Sequence, residues 1–133
     1  MSANANLVQR PQSSVLALRI LVVDDELSVR EFMTSYLRTE GHIVTTASDG
    51  VEALTILSKS PWDLIITDRN MPNMGGVELA EKIKTRHPAM RIILITGTAW
   101  ASAEEPHFDR VLRKPFRLHA LSAAISAVFA DGQ

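Results

Sequence analysis

Short apolar runs recur at regular intervals along most of the chain. Each run is four to six residues long, rich in β-branched side chains, and flanked by polar or loop-forming residues. Continuous apolar runs of this length favour strands that are buried on both faces, as in a parallel sheet. The runs predict five strands, at residues 19–24, 42–47, 63–68, 91–96 and 109–114.

The segments between these runs place apolar residues at helical spacing. After the first strand, Val29, Phe32, Met33 and Leu37 form one stripe, and Gly41 is a suitable stop. Helices are also predicted after the second, third and fifth strands, and the helix after the second begins with Asp49 and Glu52 in a capping-box pattern. Residues 97–108 are ambiguous and favour a loop with one helical turn.

The alternation of strands and helices predicts an α/β fold with a parallel sheet, helices on both faces and right-handed crossovers. With five strands, the flavodoxin-like order 2-1-3-4-5 is favoured. Residues 1–17 are predicted to be a flexible N-terminal tail because they are mostly polar and contain Pro11. The single domain is expected to span residues 18–130.

Composition narrows the classes of function. The 133 residues fit one domain, and 46% hydrophobic with 22% charged residues is ordinary for a globular protein. A net charge of -1 argues against nucleic-acid binding, and the absence of cysteine excludes disulfides and thiolate metal sites. No apolar run approaches the roughly 20 residues that span a bilayer, and the N-terminus lacks a signal-peptide pattern, so a cytoplasmic location is expected.

Polar residues follow four of the five predicted strands. Asp24 and Asp25 end the first strand, Asp68 ends the third, Thr96 ends the fourth and Lys114 follows the fifth. In open α/β sheets, ligands bind beyond the carboxyl ends of the strands, and parallel strands bring those ends to one edge. The sequence therefore predicts that these five side chains share one site.

The chemistry of this set points to phosphate. Three carboxylates do not converge without a cation or a raised pKa, and oxygen ligands without His or Cys favour Mg²⁺ or Mn²⁺. A lysine and a hydroxyl can bind the oxygens of a transferring phosphoryl group, and an aspartate can accept that group.

Four motifs carry a resemblance to a known family. "VVDDE", "DLIITDRNMPNMGG", "IILITG" and "RKPF" occur in this order, and together they resemble the receiver domain of two-component response regulators over roughly residues 19–130. The resemblance implies that Asp68 is the phosphoacceptor. It implies that the metal is bound directly by Asp25, through water by Asp24, and by the backbone carbonyl of Asn70.

The same resemblance assigns roles to the residues of the last two strands. Thr96 would bond to a phosphoryl oxygen and relay its presence, and Lys114 would pair with the phosphate. Pro115 would hold the turn, with a cis Lys–Pro bond expected. The expected function is a phosphorylation-dependent signalling switch that catalyses only its own phosphorylation and dephosphorylation.

The resemblance also implies partners. The phosphoryl donor would be a sensor histidine kinase or a histidine phosphotransfer protein, and a separate output partner is expected. Neither nucleic acid nor membrane is expected as a partner. The chain would be either a stand-alone receiver or a fragment of a longer protein such as a hybrid kinase.

Two features depart from the family pattern. The family usually has an aromatic switch residue three positions before the lysine, and this chain has Val111 there. The segment between Thr96 and Lys114 is shorter than usual, so the fourth helix is expected to be short or missing. A phosphorylation-dependent dimer would then have a non-standard mode.

Three alternatives remain beside the switch. A Mg²⁺-dependent phosphohydrolase of the haloacid-dehalogenase type would carry a D-x-D pattern after the first strand, whereas the acids here are adjacent. A flavodoxin-like FMN carrier would need a hydroxyl- and glycine-rich loop in the same place. A receiver-like interaction scaffold that is never phosphorylated would share every motif of the switch.

Overall fold

A single five-stranded parallel sheet forms the centre of the protein. The computed structural model describes residues 17–97 and 107–130. The strand order is β2-β1-β3-β4-β5, which confirms the flavodoxin-like arrangement. The strands are β1 (Arg19–Val23), β2 (Ile43–Ala47), β3 (Leu64–Asp68), β4 (Arg91–Thr96) and β5 (Arg110–Arg113).

Helices cover both faces of the sheet, as predicted. Within the described residues they are α1 (Leu27–Thr39), α2 (Gly50–Leu57), α3 (Gly76–Arg86) and α4 (Leu118–Ala130). Helices α1 and α4 pack on one face, and α2 and α3 pack on the other. The predicted tail, up to residue 16, and residues 98–106, where a short or missing helix was expected, lie outside the described residues.

The core has two layers because the central strands are buried on both sides. Ile20, Val22, Ile66 and Ile93 face α1 and α4, with Met33 completing the layer. On the opposite face, strand residues such as Leu21 and Ile65 pack against Leu79 and Ile83 of α3. A strand with apolar neighbours on both faces has no polar side to alternate with, which explains the uninterrupted apolar runs in the sequence.

The helix ends follow local sequence rules. Gly41 has a φ of 96° just after α1, a conformation that glycine adopts without a steric penalty. At the start of α2, the Asp49 side chain accepts a hydrogen bond from the Glu52 backbone N–H. The Glu52 carboxylate accepts a hydrogen bond from the backbone N–H of Ser48 at 2.7 Å, one residue earlier than in the predicted capping box.

Candidate functional site

Three carboxylates meet at the carboxyl edge of the sheet. Asp24 and Asp25 follow β1, and Asp68 ends β3, which is the neighbouring strand. One oxygen from each of the three side chains lies within 4.8 Å of the other two. Asp24 and Asp68 are buried, whereas Asp25 is exposed, so the cluster opens to solvent on one side. The predicted convergence of these acids is observed.

The turn that follows β1 fixes the position of Asp24. Its backbone N–H donates to the Ala47 carbonyl at 3.1 Å, and its Oδ1 accepts from the Glu26 backbone N–H at 2.9 Å. The guanidinium of Arg30 donates to the Asp24 carbonyl oxygen at 2.7 Å. Glu26 is the residue at the N-cap of α1, and its side chain makes no capping bond.

Lys114 reaches the carboxylates from the end of β5. Its backbone N–H donates to the Thr96 carbonyl at 2.8 Å, which joins the ends of β4 and β5. The Lys114–Pro115 peptide bond is cis, as the sequence predicted. The Lys114 Nζ lies 3.2 Å from Asp68 Oδ1 and 3.7 Å from Asp24 Oδ2. The ammonium group therefore lies between the two buried acids.

Burial and charge shift the pKa values of all three groups. Burial is the largest effect on Asp24 and raises its pKa. A hydrogen bond from the Glu26 N–H lowers the pKa, and the charge of Asp68 raises it further. Burial also raises the pKa of Asp68, although the hydrogen bond from Lys114 opposes that rise. For Lys114, burial alone would lower the pKa, but Asp68 and Asp24 outweigh it and raise the value.

The cluster has the features of a site for a hard cation. Asp24 Oδ2 is buried and has no hydrogen-bond partner, and a lysine at 3.7 Å is the cation nearest to it in the described residues. A buried oxygen left in this condition is costly unless a cation or proton satisfies it. The donors are carboxylate oxygens, which suit Mg²⁺ or Mn²⁺ better than softer metals. The residues therefore fit a magnesium ion.

The two remaining predicted site residues lie at the same edge of the sheet. Thr96 is buried at the end of β4, one position beyond Ile95, which pairs in register with Asp68. Asn70 is exposed in the loop between β3 and α3, two residues after Asp68. The metal-binding and phosphate-binding roles of all the named site residues stay predictions.

Glycine at position 76 allows α3 to begin directly against β3. The Gly76 N–H donates to the Arg69 carbonyl at 2.9 Å. A methyl group added at Gly76 would overlap the carbonyl oxygen of Asp68. The absence of a side chain at Gly76 therefore determines how closely α3 approaches the backbone of Asp68.

Comparison with known proteins identifies the family. The family model described as the response regulator receiver domain matches residues 20–126. The chain belongs to this family. It is a receiver domain of two-component signalling, and the fold and the order of the acids along the strands agree with that membership.

Relatives of this receiver domain occur both alone and inside larger proteins. The response regulator receiver protein CpdR of Brucella abortus is 36% identical over 107 residues, which are 77% of this chain and 89% of that protein. The sensor histidine kinase RcsC of Salmonella typhi is 36% identical over 118 residues, which are 86% of this chain. The receiver domain spans only 12% of the length of that kinase.

A solved structure extends the comparison to a ligand-bound protein. The response regulator TrrA of Thermotoga maritima, crystallised in complex with Mg²⁺-BeF, is 33% identical and superposes with a TM-score of 0.78. The alignment covers 84% of this receiver domain and 98% of TrrA.

Within the described part of the chain, no helix has both the length and the apolar character needed to cross a membrane.

Val111 occupies the middle of β5, where the family pattern has an aromatic residue. It pairs in register with Leu94 of β4 and is partly buried. Valine is stiff about χ1 and cannot make the large rotation that an aromatic ring makes. A ring rotation at position 111 therefore has no part in any conformational change of this receiver domain.

Two side-chain contacts near the site were not predicted from the sequence. Arg30 lies on α1 and donates to the Asp24 carbonyl, and nothing in its spacing from Asp24 distinguishes it from a solvated surface charge. Asn73 donates a hydrogen bond to Asp49 at 2.7 Å, which connects the β3–α3 loop to the start of α2. The positive φ of Asn73 could have been suspected from its place in "NMPNMGG", but its partner could not.

Neutralising Asp24 is expected to stabilise the metal-free protein and to remove its response to Mg²⁺. Because the pKa of Asp24 is raised, the folded state holds a proton that the unfolded state has lost. The contribution of Asp24 to the free energy of unfolding of the metal-free protein should therefore fall as pH rises from the ordinary value of 3.8 through the raised pKa. The Asp24→Asn variant should lack this loss and should have a higher unfolding temperature than the parent at neutral pH.

With Mg²⁺ bound, the parent is expected to be more stable than the Asp24→Asn variant. At 100 times the dissociation constant, a ligand that binds only the folded state stabilises it by about 2.7 kcal/mol. The parent should gain this stability and Asp24→Asn should gain little, as measured by urea unfolding with and without Mg²⁺. Equal stabilisation of both proteins would show that Asp24 does not contribute to the metal site.

Proposed function

We propose that this receiver domain is a phosphorylation-dependent switch that accepts a phosphoryl group on Asp68. The observation that carries the proposal is the position of the Lys114 ammonium, 3.2 Å from Asp68 and 3.7 Å from Asp24, beside a third carboxylate. Acids that bind a divalent cation and a lysine that binds an anion form a site suited to an aspartate that becomes phosphorylated.

The proposed metal is Mg²⁺, with Mn²⁺ able to replace it. Asp24, Asp25 and Asp68 would hold it together with the backbone carbonyl of Asn70. When bound, the ion would neutralise the charge that develops on the phosphoryl oxygens. It would also allow three carboxylates to remain ionised at one place.

The chemical step is a transfer from phosphohistidine to Asp68. A carboxylate oxygen of Asp68 attacks phosphorus, a P–O bond forms, and the P–N bond breaks with its electron pair leaving on the imidazole. Lys114 supplies positive charge to the phosphoryl oxygens, and Thr96 supplies a hydroxyl donor. Hydrolysis of the acyl phosphate by water returns the Asp68 carboxylate and inorganic phosphate.

The signal would leave the site through the ends of β4 and β5. Thr96 and Lys114 are joined through the backbone, so a shift of either residue on phosphorylation moves the other. This contact supports a two-state equilibrium that the phosphoryl group biases. Because Val111 cannot rotate as an aromatic ring does, the change would be carried by the backbone of this segment.

The partners follow from the chemistry. The donor would be a sensor histidine kinase or a histidine phosphotransfer protein, and the relatives include both a kinase and a response regulator receiver protein. The domain would catalyse only its own phosphorylation and dephosphorylation, in the cytoplasm. Its output would pass to a protein partner or to a phosphorylation-dependent dimer of non-standard mode.

Intact-mass spectrometry after incubation with acetyl phosphate tests this proposal. With Mg²⁺, the parent should gain one phosphoryl group, and the adduct should be absent with EDTA and absent in Asp68→Ala. If rapid quenching reveals no adduct and beryllofluoride does not bind, the protein is a scaffold that is not phosphorylated. Repeated turnover of a phosphate ester by Asp68→Ala would instead support a phosphohydrolase.

A further inference from the structure

The loop that carries Asn70 is tied to the start of helix α2. The Asn73 side-chain amide donates to Asp49 Oδ2 at 2.7 Å, and the Gly50 N–H donates to the Met74 carbonyl at 3.2 Å. Asn73 has a φ of 68°, a left-handed conformation that asparagine tolerates better than most residues. The backbone of Asn73 is therefore shaped to present its amide toward α2.

Asp49 binds two partners at once. Its Oδ1 accepts the Glu52 N–H at 2.9 Å, which caps α2, and its Oδ2 accepts the Asn73 amide. The Glu52 N–H bond and then the Asn73 amide hold the pKa of Asp49 below its ordinary value. The carboxylate is therefore charged at neutral pH, and its hydrogen bonds are of the stronger, charge-assisted kind.

The Asn73–Asp49 hydrogen bond holds the β3–α3 loop at a point between its two fixed ends. Asp68 is held in β3, and Gly76 is hydrogen-bonded to Arg69 at the start of α3. Asn70 lies between these ends with an exposed side chain. Because the loop is also held at position 73, it has fewer conformations to lose when the backbone carbonyl of Asn70 binds an ion.

We propose that Asp49 and Asn73 are positioning residues for the metal site. Their hydrogen bond holds the β3–α3 loop so that the backbone carbonyl of Asn70 is already presented to Mg²⁺. The inference rests on the proposed function, because it assumes that the carboxylate cluster binds Mg²⁺. It adds Asp49, the N-cap residue of α2, to the determinants of metal affinity.

Two substitutions remove the Asn73–Asp49 hydrogen bond and keep the local backbone conformation. Asn73→Gly keeps the positive φ without strain, and Asp49→Ser keeps a side chain that can cap α2. Mg²⁺ titration of the metal-free full chain, followed by backbone amide NMR, gives the dissociation constant. Each single variant should raise the dissociation constant about tenfold, the lower end of the range for residues that orient metal ligands.

The double variant tests whether the two residues act as a pair. Asn73→Gly with Asp49→Ser should bind Mg²⁺ no more weakly than either single variant, since both remove the same hydrogen bond. Ser58→Ala is the matched control, because it removes an exposed hydrogen bond of 2.7 Å to Thr55 at the other end of α2. It should leave the dissociation constant unchanged.

The outcomes separate this inference from the function on which it rests. Unchanged Mg²⁺ affinity in the Asn73→Gly and Asp49→Ser variants would overturn it, even if their metal-free unfolding temperatures fall. An equal loss of affinity in Ser58→Ala would overturn it too, because the effect would then be general to α2. If the parent does not bind Mg²⁺ at all, the proposed function fails and this inference fails with it.

Discussion

Lys114→Met is expected to slow the labelling of Asp68 by acetyl phosphate about 100-fold or more, the usual effect of losing one preorganised electrostatic contact to a transition state. The ammonium group lies 3.2 Å from the Asp68 carboxylate, and methionine keeps the length of the side chain without its charge. Mg²⁺ should still bind, since no proposed ligand is removed. The measurement is the rate of adduct formation by quenched intact-mass spectrometry.

Lys82→Met is the matched control for this experiment. Lys82 makes one surface pair with Glu78 at 4.0 Å, and both side chains are about half exposed. Such a pair contributes little to stability, and the same chemical change there should leave the labelling rate unchanged. A rate for Lys114→Met within threefold of the parent would remove Lys114 from the proposed chemistry.

Gly76→Ala is expected to lower the free energy of unfolding by about 2–3 kcal/mol, the upper part of the usual range for overpacking. The added methyl group would overlap the carbonyl oxygen of Asp68, and a backbone atom at the end of a central strand cannot move aside cheaply. The N-terminus of α3 would have to shift away from β3. Urea unfolding measures the loss directly.

Gly97→Ala provides the comparison. A methyl group at Gly97 would meet no described atom within 4 Å, so the same substitution should change stability far less. If Gly76→Ala unfolds at the same urea concentration as the parent, the close approach of α3 to β3 is not the constraint that the structure indicates.

The fold could be predicted because its core strands carry a simple pattern. The bounds of β4, at residues 91–96, agree with the sequence prediction to the residue. The strand lies inside the sheet with apolar residues on both sides, so its pattern is uninterrupted. The fifth strand was predicted at 109–114 and spans only residues 110–113 at the sheet edge, although the backbone N–H groups of Asp109 and Lys114 still donate to Ile92 and Thr96 of β4.

The convergence of the site could be predicted because topology alone produces it. Parallel strands end at one edge, so Asp24, Asp68 and Lys114 meet although they are far apart in sequence. The contacts of Arg30 and Asn73 could not be predicted in the same way. They depend on side-chain direction across two elements, and neither residue type nor spacing encodes that direction.

The measurement that tests the central claim most directly is the position of the phosphoryl group. Borohydride reduces an aspartyl phosphate to homoserine, and peptide mapping then locates the modified residue. After incubation with acetyl phosphate and Mg²⁺, homoserine should appear at position 68 and should be absent without Mg²⁺. Homoserine at Asp24 or Asp25, or none anywhere in the chain, would contradict the assignment of Asp68 as the acceptor.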